Sequence, residues 1–308
     1  MLRHFHCDAA MKIHIDRPSA ASPLHERLFA GLKDEPLVFV TSSAGLIRLI
    51  DRASRDDCTI EEAARLVHNE PLVSARMVAM ANSAAYSRND RIITNVKDAL
   101  GLLGLGVLKA VAGAVVVGQL ADKAARPNEL TVSRLWAHSL EVAALASVIA
   151  RNFTRVPPET ALFAGILHEI AGFYVLSKAD QLVDLTGGDV VDAVRRDTAS
   201  HEETSASVLA AGTCRLLSAL QIPDEVADAI ASLWRGYLIV PPETLNDTLM
   251  IANLMATTPS PFDTADSKAA ASEVDFDHVM NKSDVALVVR KAYDEILSIQ
   301  QAFNKRSG

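Results

Sequence analysis

Aromatic residues, cysteines and positive charge are all scarce in this chain, and each scarcity removes a class of protein. Phe, Trp and Tyr together make up 5% of its 308 residues. Strands favour aromatic and β-branched side chains, so a chain dominated by Ala, Leu and Val points to helix. The three cysteines, Cys7, Cys58 and Cys214, are far apart and odd in number. They form neither a CxxC metal pair nor a disulfide framework, which predicts a reducing, cytoplasmic setting. The formal net charge is −8, without the Lys and Arg excess that general nucleic-acid binding needs to neutralise phosphates. The same anionic balance argues against docking on anionic lipid. No Walker A sequence, GxGxxG after a strand or GxSxG elbow is present, so the common phosphate-loop and hydrolase-elbow chemistries are excluded.

What is present is an ordinary globular composition, 49% hydrophobic and 22% charged, which excludes wholesale disorder. The opening MLRHFHCDAAMKIHIDRP carries charges throughout and has no apolar run, so it is not read as a secretory signal. His4, His6 and Cys7 match no common metal spacing, and residues 1–22 are expected to be a polar arm. Leu100 to Leu120 has the length of a membrane span. Lys109 near its centre would cost roughly 2.5–3.5 kcal/mol on insertion scales, and five glycines suit a turn and a closely packed core helix instead.

The remainder reads as a succession of helices in two lobes, an all-α chain. In the first lobe, residues 23–122, Leu46, Ile47, Leu49 and Ile50 form one apolar stripe of a helix over 43–53. Thr59 with Glu62 reads as a capping box, and Pro71 suits the first position of the next helix. Residues 122–131, charged and containing Pro127, are expected to be a hinge. The second lobe, 123–257, holds a long amphipathic helix from Leu135 and helices opened by Pro158, Pro223 and Pro242. Residues 258–308 are expected to be a loop and a C-terminal helix packed on this second lobe.

Across residues 58–108 the order TIEEAARLV, NEPLVSARMVAMANSAAYS, NVKDALGLLGLGVLK resembles the HDOD family, the HD-related output domain of bacterial signalling proteins. The motif elements stand at Glu70-Pro71, Ala81-Asn82-Ser83, Tyr86 and Leu103-Gly104, with Glu70 where Asp is commoner. The likeness extends from about residue 25 to 255. From the residues alone, Asn82 and Ser83 are poor inside a helix and good at its end, so a capping role beneath Tyr86 is expected.

The resemblance implies a relation to the HD phosphohydrolases, whose metal set is a His, an adjacent His-Asp pair and a distant Asp. The matching positions here are His138, His168-Glu169 and Asn253. Glu169 keeps the charge one methylene further out, and Asn253 loses it. The Lys that often follows the His-Asp pair is Gly172. Two neutral imidazoles and one carboxylate leave a divalent ion under-compensated, so a degenerate site without bound metal, cofactor or catalytic residue is expected. His201 begins no HExxH, since position 205 is Ser, and Trp234-Arg235 stands where related chains often carry His-His.

Three functions follow as expectations. The first is a non-catalytic signalling module acting on a protein in trans, such as a cyclic-dinucleotide enzyme, kinase or receiver domain; a homodimer is compatible with it. The second is residual metal-dependent phosphohydrolysis. The third is nucleotide binding without turnover, with Lys109 or Arg235 as the cation.

Overall fold

The computed structural model describes residues 43–87, 92–186, 188–200, 207–233, 241–263, 274–279 and 285–304. The expected N-terminal arm, His201 and Trp234-Arg235 lie outside them. All regular structure among the described residues is helical.

The first lobe is built from α1 (Ser43–Ala53), α2 (Ile60–His68) and α3 (Pro71–Ala81). Leu46, Leu49 and Ile50 of α1 are fully buried, as the apolar stripe predicts. Thr59 caps α2 by accepting from the Glu62 N–H at 3.2 Å. The Glu62 carboxylate instead takes the Arg52 guanidinium in a two-pronged contact at 2.6 and 2.7 Å. A charge-assisted pair outcompetes the neutral backbone amide that the expected capping box would have used. Pro71 opens α3, where its missing N–H costs nothing.

All of this packs on α4, Val96–Phe153, which runs through both lobes. The expected hinge at 122–131 is therefore helical. Its Ala, Lys, Arg, Glu and Leu residues are good helix formers, and its charges mark a solvent-facing stretch, with Asp122, Lys123, Glu129 and Leu130 exposed. Pro127 removes one intrahelical donor without ending the helix. The irregular backbone in α4 lies earlier, at Gly104, whose φ of +76° is left-handed.

The second lobe continues with α5 (Pro158–Leu167), α6 (Ile170–Ser177), α7 (Ala179–Thr186), α8 (Val190–Ser200), α9 (Val208–Ala219), α10 (Asp224–Leu233) and α11 (Leu245–Met255). After it come α12 (Phe276–Val279), α13 (Val285–Lys291) and α14 (Tyr293–Asn304). The C-terminal helix, expected on the second lobe, packs against both α4 and α3 of the first. Ser298 accepts from the Ala85 N–H at 3.1 Å, and Glu295 pairs with Arg151. α14 thus fastens the end of α4 to the turn that follows α3.

Two stretches, Val96–Ala124 and Pro158–Ser177, are long and apolar enough to cross a membrane by length and composition. Their most apolar windows are 67% and 89% buried inside the fold, so packing against each other and their neighbours accounts for the apolarity. α5 lies so close to α4 that a Cβ at Gly165 would stand 2.5 Å from the Ala143 Cα.

Two glycine substitutions separate packing from backbone strain. Gly165→Ala should destabilise by about 1–3 kcal/mol, because backbone must move. Gly104→Ala should cost about 1–2 kcal/mol from left-handed strain alone, since beyond its own stretch of helix no atom lies within 4 Å of its Cβ position. Gly104→Asn should recover part of that loss. Urea midpoints of the three variants test this; a neutral Gly165→Ala would contradict the close contact.

Candidate metal centre

His138 projects from α4, while His168 and Glu169 stand in the two-residue break between α5 and α6. In an unbroken helix adjacent side chains diverge by about 100°. The break, with Glu169 at φ −101° and ψ 18°, lets both neighbours reach one point. The Gly165–Ala143 contact sets α5 against α4 close enough for His168 to meet His138.

The two imidazoles face each other through their Nε2 atoms, 3.2 Å apart. Each Nδ1 lies 2.7 Å from a backbone carbonyl, Thr258 O for His138 and Gly165 O for His168. A carbonyl oxygen only accepts, so each Nδ1 carries the proton and each neutral ring turns an Nε2 lone pair toward the other. Glu169 Oε1 is 3.9 Å from His138 Nε2, and its Oε2 is buried without a hydrogen-bond partner. Asn253, near the end of α11, lies beside His138 and opposes the lowering of its pKa by burial. All four positions expected from the sequence therefore converge.

Burial sets the charges. It pushes His168 down to about 3, with His138 adding to the fall and the Gly165 carbonyl opposing it. It pushes Glu169 up to about 8, opposed by a hydrogen bond from Ser260 and aided by the nearby Asp263 charge. Burial also lowers His138, against the Thr258 carbonyl. At neutral pH the resting cluster is uncharged, with a proton on Glu169.

Facing lone pairs and an orphaned carboxyl oxygen are the surroundings a cation completes. His138, His168 and Glu169 can each offer one ligand atom, all within 4.8 Å of one another. Two nitrogens and an oxygen suit zinc or a similar divalent ion. The donor set fits such an ion, although it supplies one carboxylate and a neutral Asn253.

Residues that sequence reasoning missed surround this cluster. Glu141, one turn beyond His138 on α4, accepts from Thr257 N, Thr257 Oγ1 and Thr258 N at 2.8, 2.7 and 2.9 Å. It thereby positions the Thr258 carbonyl over His138. The i, i+3 spacing was a signal that placed Glu141 on the His138 face. At Gly172 the space for a side chain is filled by Phe262, whose ring would stand 2.6 Å from a Cβ there.

The first-lobe motif residues stand apart from this cluster and shape the chain. Asn82 donates to Ile93 O at 2.7 Å and accepts from Ile93 N at 2.8 Å, closing the loop after α3. The Ser83 hydroxyl donates to Met80 O at 2.7 Å. Tyr86 is pushed up to about 12 by burial, and Glu70, preceding Pro71, is raised by burial without capping α3. Lys109 lies half-buried on α4, outside the cluster.

The chain matches the family model described as HDOD domain over residues 41–235, and it belongs to that family. Its fold is similar to a protein from Shewanella amazonensis SB2B named as a candidate metal-dependent phosphohydrolase. That match has a TM-score of 0.65 and 21% identity, covering 91% of this chain and 98% of that one. An HDOD domain protein of unknown function from Geobacter sulfurreducens superposes with a TM-score of 0.62 and 22% identity, covering 92% and 96%. A candidate signal transduction protein from Marinobacter aquaeolei VT8 gives 0.58 and 18%, covering 90% of this chain and 61% of that one. No curated protein matches.

Protonation gives the ion-free cluster a pH optimum. His168 titrates near 6.5 unfolded and about 3 folded, so acid below 6.5 favours the unfolded chain, which takes up the proton. Glu169 titrates near 4.5 unfolded and about 8 folded, so above 4.5 the unfolded chain is favoured by releasing one. The His168 and Glu169 slopes, each about 1.4 kcal/mol per pH unit, oppose each other between about 4.5 and 6.5, and the lowered His138 adds to the acid limb, so stability peaks toward the upper end of that window and falls on both sides. Urea midpoints of chelator-treated protein should peak in that window. His168→Gln should flatten the acid limb and Glu169→Gln the alkaline limb; unchanged limbs would refute the assignment.

Restoring the missing charge with Asn253→Asp should tighten Zn2+ binding about tenfold or more in a competition titration, because a second carboxylate compensates the buried ion. Equal or weaker binding would place residue 253 outside the ligand sphere.

Proposed function

We propose that the chain is a non-catalytic signal-transduction module that acts through a protein partner in trans, with its degenerate HD site kept as an internal element of the fold. The observation that carries this reading is enclosure: His138, His168 and Glu169 are 2%, 4% and 5% exposed. A phosphodiester would have to reach groups that the protein itself covers. The neutral Asn253 adds to the case, since a phosphohydrolase ion without full carboxylate compensation binds more weakly. Membership of the HDOD family and the name of the Marinobacter relative support a signalling role. The partner would be a protein such as a cyclic-dinucleotide enzyme, a kinase or a receiver domain.

A second reading, metal-dependent phosphohydrolysis, is favoured by the two facing Nε2 atoms and the orphaned Glu169 oxygen. An ion held by His138, His168 and Glu169 would supply Lewis acidity toward a phosphoryl oxygen. The residues themselves would hold the donor geometry through Gly165 O and Thr258 O.

The readings part in two measurements. Purified chain supplied with Mn2+, Fe2+ or Zn2+ should hydrolyse neither bis-p-nitrophenyl phosphate nor cyclic dinucleotides. In cells lacking the gene, a His168→Gln, Glu169→Gln variant that folds should restore the regulated phenotype as well as the parent chain does. Metal-dependent turnover that disappears in His168→Ala would overturn the non-catalytic reading.

A further inference from the structure

Residues 256–263, Ala-Thr-Thr-Pro-Ser-Pro-Phe-Asp, follow α11 as an irregular strap, and they roof the cluster. The Thr258 carbonyl sits on His138 Nδ1, Ser260 lies beside Glu169, and Phe262 fills the space over Gly172 beside Leu135.

The strap is held by two grips of different character. At its start, the single Glu141 carboxylate takes three donors from Thr257 and Thr258, at 2.7–2.9 Å. Thr257 is exposed, so water competes for this grip. At its end, Phe262 is 4% exposed in the core. Arg195 Nε donates to Pro261 O at 2.8 Å, and Asp263 accepts from Ser260 N at 2.9 Å. Between the grips, Pro259 and Pro261 fix their own φ and restrict Thr258 and Ser260 to extended backbone. The two prolines make the strap a stiff piece between its grips.

We propose that residues 256–263 are a gate over His138, His168 and Glu169, latched by Glu141. Lifting the strap from the latch trades the Glu141 bonds and the Thr258 carbonyl contact for bonds to water. No helix has to unfold. The gate therefore opens more readily than the protein unfolds globally. Whatever binds the cluster better than the strap does shifts the population toward the open state and displaces the strap to the surface. The gate stands whether or not the chain turns over a substrate, so its test is separate from the hydrolysis assay above.

Diethylpyrocarbonate, which acylates neutral imidazole, reads the gate directly when followed by peptide mass spectrometry on chelator-treated protein. In the parent chain His138 and His168 should react at one common, slow rate, far below that of the exposed His68. That rate should change little with sub-denaturing urea, because opening exposes little surface. Glu141→Gln should raise both rates about tenfold or more, the effect of losing one charge-assisted hydrogen bond, and leave His68 unchanged. Arg195→Ala, at the other grip, should raise them in the same direction. If Glu141→Gln does not fold, Arg195→Ala and the urea dependence of the parent chain still decide. Rates that rise with urea as steeply as global unfolding would overturn the gate. So would rates unmoved in both folded variants.

Discussion

The contact on which this fold and its site both depend is the approach of α5 to α4 at Gly165 and Ala143, too close for any side chain at residue 165. It has two consequences. Apolar residues of α4 beyond Ala143 and of α5, among them Ala144, Val148, Phe163 and Ile166, are buried where the two helices pack, which supplies apolar core to the second lobe. The Gly165 carbonyl, brought to this position at the end of α5, also fixes the His168 ring one turn later. A Cβ at 165 would widen the helix spacing and separate the imidazoles by the same movement, so packing and site geometry form a single constraint.

That constraint creates an electrostatic problem which the rest of the site answers. Two imidazole lone pairs are pressed to 3.2 Å in a buried setting, beside a carboxyl group with an unpartnered oxygen. Burial answers by keeping all three neutral at neutral pH, the proton resting on Glu169. A cation would answer by displacing that proton, which ties occupancy to pH. With Asp at position 253, a second carboxylate would share the burial and favour the cation. Asn253 beside His138 brings no charge to the site, and the balance moves toward the proton.

Much of this was legible in the sequence, for physical reasons that differ by element. The helices α1 to α3 followed from apolar spacing, a Thr cap and a first-turn proline, all of which act within one or two turns. The four cluster positions came through the likeness to the HD set, and the structure brings all four together. Long-range geometry was not legible. The charges and Pro127 at 122–131 suggested a hinge, yet they describe a solvent-facing stretch of helix, because exposure and chain breakage leave similar compositions. The seat of α14 on both lobes depends on Ser298 meeting Ala85 and Glu295 meeting Arg151 across more than a hundred residues. The strap was read only as a loop, since nothing local marks Thr258 or Ser260 as partners of residues in α4 and at the α5–α6 break.

The departures from the HD pattern belong together. Gly172 stands where hydrolytic relatives often carry Lys, and Phe262 fills the volume that a longer residue would need. Asn253 stands where an Asp is usual and sets a neutral amide beside His138. A cation at 172 and an anion at 253 both require water or a counter-ion nearby, since burying either one unpaired is costly. Replacing the first by nothing and the second by an amide removes that requirement, and an apolar ring can then close over the cluster. Returning a cation at 172 alone would set it against the Phe262 ring without a partner. The closed roof and the neutral residues at 172 and 253 therefore support each other, and reopening this site to polar chemistry calls for changing them together.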